Sequence, residues 1–544
     1  MKLLKILFLL LPVISYAGVN LKNGNYYISY TDIVVPGEGQ DLKIVRTYNS
    51  KSTDVGWFGF GWGSDFETYL VISADGSVII HENGAGALTR FVPKSLVDAE
   101  AASKTIIGKM RERGTELDIK QEKKLVDQLK GDAELRQAYA KRFGVHAKIA
   151  NNSMLYSNDH GPQKLKKVAD GFIRYYNNGK WERYNSSGRL VRIQDKNNYV
   201  INLNYDKQGS LKSIKDSHAK QLFFEWYSNN RVKKIWSVDD KAAVYKFKEK
   251  DLLESKDVAG NIFKYKYDSN HNMIGVGYAD GSKMEVGYEQ KTQFVSSIKN
   301  RHGVKVKYEY GADSKKPDFH YWTKVAKKGF GGKDSVNKYE YFIKTKADGA
   351  RYTSRIITSV NGITTDTGYN EFRLPEKIKR GGFETLFKYN SSGLLTEKKT
   401  SRGDVVKIAY DKKHNKIRQV ENWKKSKKLS WTKFKYDGRG NLQMASNSGG
   451  KKVVLSYDRK GRITQMIDTT GKKGKRKLKF EYNVLGKPTT IAMEGKGTIR
   501  VDYDNYGGIK KVESKQGHKM ALQVTQAFQS LLSIVKPAGV NLNM

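Results

Sequence analysis

Tyr184-Asn185-Ser186-Ser187-Gly188-Arg189-Leu190 and Tyr205-Asp206-Lys207-Gln208-Gly209-Ser210-Leu211 are two copies of one turn signature, Tyr-Asp/Asn-x-x-Gly-x-aliphatic. The signature returns at Tyr436-Asp437 with Gly440 and Leu442, and at Tyr457-Asp458 with Gly461 and Ile463. Further copies start at Tyr389, Tyr482 and Tyr503. The tyrosines lie 21 residues apart from 184 to 205, then 20, 21, 26, 21, 25 and 21 apart from 369 to 503. A period of this length marks a repeat architecture, in which each unit buries its apolar face only by stacking on its neighbours.

The residues around each signature alternate with period two. Phe263, Tyr265 and Tyr267 face Lys264 and Lys266; Val304, Val306 and Tyr308 face Lys305 and Lys307; Leu478, Phe480 and Tyr482 face Lys477, Lys479 and Glu481. Such alternation predicts half-buried strands with one aromatic face and one lysine face. The Asp or Asn after the tyrosine bonds its own backbone to start a turn, and the glycine four residues past the tyrosine takes positive φ to close it. Each unit is therefore a β-hairpin with a short, bulged loop. A lone hairpin is marginal in water, so the copies must pair into one continuous winding sheet. Composition agrees, with 51 Gly, 33 Tyr and only 8 Pro in 544 residues.

Residues 18–93 lack the repeat and form a separate β block. They hold Arg46-Thr47-Tyr48-Asn49-Ser50 at the end of an alternating strand, the run Trp57-Phe58-Gly59-Phe60-Gly61-Trp62-Gly63, and the hairpin Asp75-Gly76-Ser77. With the Tyr-Asp repeats downstream, this block resembles the RHS/YD-repeat family. The resemblance implies a mainly β fold: a YD-repeat hairpin array forming a spiral sheet or partial barrel or shell. Many members carry a C-terminal effector released at an Asp-Pro-rich self-cleavage site. This chain has no Asp-Pro dipeptide and runs only about 40 residues past its last signature, so the resemblance implies the scaffold without the released cargo.

Residues 94–150 exchange the alternation for helical spacing, with Ile106, Ile107 and Met110, then Leu125, Val126 and Leu129, then Leu135, Tyr139 and Phe143. Two or three helices follow, interrupted at Gly108, Gly114 and Gly131 and read as an insertion packed on the β-structure. The YD-repeat region spans 151–516. Over 517–544, Met520, Leu522, Val524, Phe528, Leu531, Leu532 and Val535 predict a last helix that caps the array and stops at Pro537. At the other end, Lys2 and Lys5 flank an apolar run from Leu3 to Ile14, followed by Ser15-Tyr16-Ala17. Residues 1–17 read as an export signal cleaved after Ala17, too short to span a bilayer, which places the mature chain in the periplasm, at the cell surface or in the medium.

The chain contains no cysteine, which excludes disulfides, thiolate metal sites and cysteine nucleophiles. The nine histidines, among them His81, His160, His218, His302 and His518, have no paired metal spacing. Neither a nucleophile elbow nor a phosphate loop is present. Catalytic, cofactor-binding and metal-binding residues are each read as none, and no cofactor is expected. The charge is the second strong signal, 99 Lys and Arg against 56 acidic residues, net +43, or about +41 without Lys2 and Lys5. Basic clusters lie at Lys424, Lys425, Lys427 and Lys428 and at Lys472, Lys473, Lys475, Arg476, Lys477 and Lys479, interleaved with Trp423, Trp431, Phe434 and Phe480. The expected function is that of an exported, non-enzymatic β-repeat scaffold binding an anionic envelope polymer, a glycan or a partner protein, with nucleic acid attracted through charge alone. The alternatives are an effector, a hydrolase with hidden carboxylates, or a shell or chaperone for a separately encoded toxin. A solvated lysine face guarding strand edges is the plain reading of any single cluster.

Overall fold

The computed structural model describes residues 17–535 apart from 37–39, 83–86, 96, 159–160, 238–240, 329–333, 470–474, 485, 504–508 and 515–516. Among the described residues, 33 strands from Met154–Ser157 to Ile509–Ser514 form one sheet in which every strand pairs with the next in chain order. The pairs are antiparallel, as hairpins joined by short loops must be. The first and last of these strands do not pair with each other, so the sheet is an open spiral.

The period-two pattern sets which face is buried. In Ile262–Tyr267, Phe263 and Tyr265 are buried while Lys264 and Lys266 are exposed. Each signature hairpin carries a register shift immediately before its tyrosine, as at Asn204/Tyr205, Lys435/Tyr436 and Ser456/Tyr457. That irregularity is a bulge, and it adds local twist at every repeat. The array is also more continuous than its signature. Hairpins with the same shift occur before Trp226, Phe247, Tyr267 and Tyr288. Their turns use Asn230, Glu249, His271 and Gln293 at φ of 60°, 53°, 63° and 57° where other copies use glycine.

The N-terminal block contributes a four-stranded sheet (Ala17–Asn20, Asn25–Val35, Leu42–Asn49, Trp62–Ser64) and a three-stranded one (Tyr69–Ile72, Val78–Glu82, Ala87–Phe91). Two isolated bridges, Val92 to Tyr156 and Tyr69 to Arg189, connect it to the repeat region. Its apolar face lies on the concave side of the first part of the spiral, and one core runs from Tyr26, Ile28, Tyr48 and Trp62 into Leu165, Ile214, Tyr245, Met273 and Val295. Main-chain bonds fasten the two along their length: Val295 N–H to Gly24 O, Phe60 N–H to Lys250 O, Val232 N–H to Trp57 O and Leu70 N–H to Gly188 O. The expected signal segment lies outside the described residues up to Tyr16, and Ala17 opens the first strand.

Three helices follow, α1 (Ala99–Glu112), α2 (Ile119–Gly131) and α3 (Ala133–Phe143). Asp98, Asp118 and Asp132 cap them through their carboxylates, and Asp118 and Gln121 close a reciprocal capping box. Ile106, Ile107, Met110, Leu129, Ala140 and Phe143 form their own small core. Gly108 does not interrupt α1 as its composition suggested, because one glycine costs only about 1 kcal/mol in a helix whose neighbours are packed. Gly114 and Gly131 do mark helix ends. Helix α4 (Gly517–Val535) lays Met520, Ala527 and Ile534 on a second core built from Val420, Phe434, Leu455, Met466 and Leu478. Leu522 and Leu532, expected on its packed face, are instead about half exposed, since two residues is about 200° around the helix from the 520/527/534 stripe. Pro537 lies outside the described residues.

Candidate binding site at the seam between windings

The repeat turn is built the same way in most copies, the longer turn at Asp411 apart. Asp437 Oδ1 accepts from the N–H groups of Arg439 (2.9 Å) and Asn441 (2.8 Å), and Gly440 N–H returns to Asp437 O. Asn370, Asn390 and Asp458 make the same pair of bonds two and four residues on. The tyrosine has a second task that its sequence does not announce. Its hydroxyl donates to the carbonyl of the aliphatic residue that closes the preceding repeat: Tyr205 to Leu190 (2.8 Å), Tyr410 to Leu395 (2.7 Å), Tyr436 to Ile417 (2.7 Å), Tyr457 to Leu442 (2.8 Å) and Tyr482 to Ile463 (2.7 Å). Trp226 performs the same function with its indole N–H on Leu211 O at 2.8 Å. Burial pushes the Tyr205, Tyr410, Tyr436 and Tyr457 hydroxyls up to about 12.

Successive turns of the spiral touch through hairpin tips. A Cβ at Gly393 would lie 3.5 Å from the Asn158 side chain, Asn177 Nδ2 donates to Asn415 O (3.4 Å), and Lys196 Nζ donates to Asn441 Oδ1 (2.5 Å). The partners are separated by 238 residues in the second contact and 245 in the third. The later partner is in each case a signature turn, so the repeat motif of one winding rests on the plain turns of the winding before it.

Where the later winding crosses the segment from Val92 to Gly179, the seam opens into a cavity of about 1000 Å³. Its walls come from residues 92–95, 156–158, 162–164 and 175–179 with Arg90 and Val97 on one side, and from the turns at 346–351, 371–373, 391–392, 413–416 and Arg439 on the other. Nine lysines and arginines line it (Arg90, Lys94, Lys164, Lys346, Arg351, Arg373, Lys413, Lys416, Arg439) against two carboxylates, Asp348 and Glu371. Arg90 is held by Asp75 (2.9 Å) and Asp348 (2.6 Å), and Arg351 by Asp132 (2.9 Å). Asp75 also receives the buried Arg136 at 2.8 Å, which locks α3, the 73–77 hairpin and the 346–350 turn together. Burial and the neighbouring Lys196 ammonium push Lys416 down to about 8. Both ammonium groups turn to the same neutral acceptor, Gly440 O.

The basic clusters read from sequence have different surroundings. Lys424 pairs with Asp404 (2.6 Å) and Lys428 with Glu421 (2.5 Å), so half of the first cluster is neutralised. In the second, Arg476 pairs with Asp468 (3.0 Å) and Lys477 with Glu494 (3.4 Å), while Lys472 and Lys473 lie outside the described residues. The cavity escaped the sequence because its charges come from separate segments of the chain. The one local signal is the turn Asp411-Lys412-Lys413-His414-Asn415-Lys416, one residue longer than its neighbours and rich in lysine.

Comparison with known proteins bears on both halves of the architecture. Residues 17–91 match the family described as a domain of unknown function, DUF6531, and residues 411–543 match the Teneurin YD-shell family. With the hairpin array between them, these two matches support an RHS/YD-repeat protein. Curated proteins similar to this chain include the tRNA3(Ser)-specific nuclease WapA of Bacillus spizizenii and the tRNA nuclease WapA of Bacillus subtilis, each 23% identical over 340 residues. These matches cover 54% of this chain and 12% of the relatives, so the chain spans a small fraction of those proteins. Among solved structures, TcdB2-TccC3 aligns over 92% of this chain and 28% of its own, at 10% identity and a TM-score of 0.44.

Proposed function

We propose that this protein is an exported, non-catalytic β-repeat scaffold that holds an anionic surface polymer or partner. The observation that carries this reading is the repeated outward lysine face, as in Lys264 and Lys266, exposed on one side of a strand whose Phe263 and Tyr265 are buried on the other. The net charge of +43 gives that face a field that draws polyanions and fades with salt. The N-terminal hydrophobic run supports export, and the family membership supports a shell-type scaffold. The nuclease activity named for the WapA relatives belongs to proteins of which this chain matches 12%.

The test is retention of the purified chain on isolated bacterial envelopes and on neutral glycans across a salt series. The reading expects retention on envelopes that collapses as salt rises. Equal retention on neutral glycans, or none at any salt, contradicts it.

A second reading, a shell for a separate protein, is favoured by the middle of the spiral. Between 305 and 400, the buried non-glycine residues among those described are Thr323, Tyr341 and Phe387, so the N-terminal block and α4 leave that concave stretch uncovered. Co-purification of a stoichiometric protein partner from the native host would support it.

A further inference from the structure

We propose that the seam cavity is a discrete site for a linear polymer of phosphate groups, with Lys164, Lys413 and Lys416 as its cationic contacts. This rests on the polyanion reading above and narrows it to one place and one chemistry.

The first argument is charge that the fold leaves uncompensated. Lys94, Lys164, Lys413 and Lys416 have no carboxylate within ion-pair distance among the described residues, although many exposed lysines of this chain have one. Lys416 is crowded by Lys196, and both donate to one backbone carbonyl, Lys196 also to Asn441 Oδ1. A site where two ammonium groups share a neutral acceptor gains from an anion that neutralises them, and the gain is larger in a concave, partly dehydrated wall than on an open surface.

The second argument is the kind of cation. Arg90 and Arg351 are already committed to Asp75, Asp348 and Asp132, where their planar forks suit carboxylates. Arg439 is turned to the Arg459 carbonyl, and the lining cations without a carboxylate named above are lysines, compact point charges that bind phosphate without demanding a bidentate plane. The third is shape. The volume of about 1000 Å³ admits several monomers of a chain and is open enough for the chain to continue out of it. Lys413 and Lys416 lie on one turn and Lys164 on the opposite wall, so cations bracket the cavity from two sides, an arrangement that suits a polymer passing through it better than one small ion.

The experiment is titration of the full chain with inorganic polyphosphate, and with poly-aspartate of matched length, at fixed salt. The protein forms are the wild type, Lys164→Gln/Lys413→Gln, Lys164→Arg/Lys413→Arg, and a control, Lys120→Gln/Lys123→Gln, that removes the same charge from the exposed face of α2. The proposal expects saturable binding of polyphosphate that weakens about tenfold or more in the glutamine seam variant, persists in the arginine variant and changes less than about twofold in the control. Equal losses in the seam and control variants, or tighter binding of poly-aspartate than of polyphosphate, overturn it while leaving the general polyanion reading standing. Absence of binding of either polymer by the wild type at low salt overturns both.

Discussion

Arg46 and Asp32 meet at 2.7 Å with side chains 0% and 1% exposed, on adjacent strands of the N-terminal block, and together they fasten that block to the repeat sheet. Asp32 accepts from Tyr245 Oη (2.8 Å) and Arg46 donates to Ser255 Oγ (2.6 Å), both from the spiral. The guanidinium lies 4.8 Å from the Tyr30 ring centre, 4.7 Å from that of Trp62 and 5.3 Å from that of Tyr265. Removing one member of a buried pair leaves the other charged and unpaired, which costs about 3–5 kcal/mol. Arg46→Ala should lower the denaturation midpoint sharply and raise amide exchange in both Leu42–Asn49 and Asp251–Lys256. An unchanged midpoint would mean that the apolar core alone holds the block.

The tyrosine ladder predicts a graded, local effect. Tyr457→Phe keeps the ring and deletes only the bond to Leu442 O, and a lost buried hydrogen bond of this kind costs about 1 kcal/mol. Tyr227→Phe removes a longer bond, to Tyr245 O at 3.1 Å, from a more exposed ring and should cost less. Chemical denaturation of the two variants tests the order.

Alkaline pH should weaken the spiral. The ladder hydroxyls of Tyr205, Tyr389, Tyr410, Tyr436 and Tyr457 are held up to about 12 by burial, against about 10 in an unfolded chain. A raised folded value means the native state keeps its protons longer, so this contribution is fully present below pH 10 and is lost as pH climbs through 12. Denaturant midpoints at pH 9 and pH 11, with tyrosinate absorbance recorded in parallel, should show stability falling over that window. Tyrosinate appearing near pH 10 with the fold intact would contradict it.

Gly440 joins a turn requirement to the seam. Its φ is +76°, and a Cβ there would sit 3.2 Å from the His414 ring and 3.3 Å from Lys416 Nζ. Gly440→Ala should cost about 1–2 kcal/mol from the left-handed backbone alone and should also disturb Lys416. Gly281, at φ +80° with nothing near its Cβ position, should show the backbone cost without the seam effect when changed to alanine. Polyanion retention compared between the two variants at matched stability separates the terms.

Much of this fold was written in local chemistry. The period-two faces, the Asp/Asn turn bonds and the glycines gave hairpins whose order in the sheet is simply chain order. Copies between 226 and 293 were harder to read because Trp226 and Phe247 replace the tyrosine and Asn230 and His271 replace the glycine, which keeps the backbone conformation while erasing the signature. The N-terminal Arg46 and Trp62 stood out as motif residues, but their partners Ser255 and Tyr267 are set by how the block docks. The seam was illegible for a physical reason: which tips meet depends on the accumulated twist of more than ten hairpins, and no local pattern encodes that sum. The lysine clusters that sequence did reveal are partly neutralised across their own hairpins, as Lys428 is by Glu421.

The edge-to-edge seam underlies both the cavity and its charge, and the absence of native cysteine makes it directly measurable. In an Asn177→Cys/Asn415→Cys chain, a short bis-thiol cross-linker should join the two positions efficiently and give a compact, fast-migrating band with one linked peptide pair, because Asn177 Nδ2 lies 3.4 Å from Asn415 O. A control with cysteines at Asn177 and His302, which lie on separate hairpin tips with no contact between them, should remain unlinked. Efficient linking of the first pair alone is the predicted result. Failure of that pair to link in the folded chain would contradict the spiral and the cavity with it.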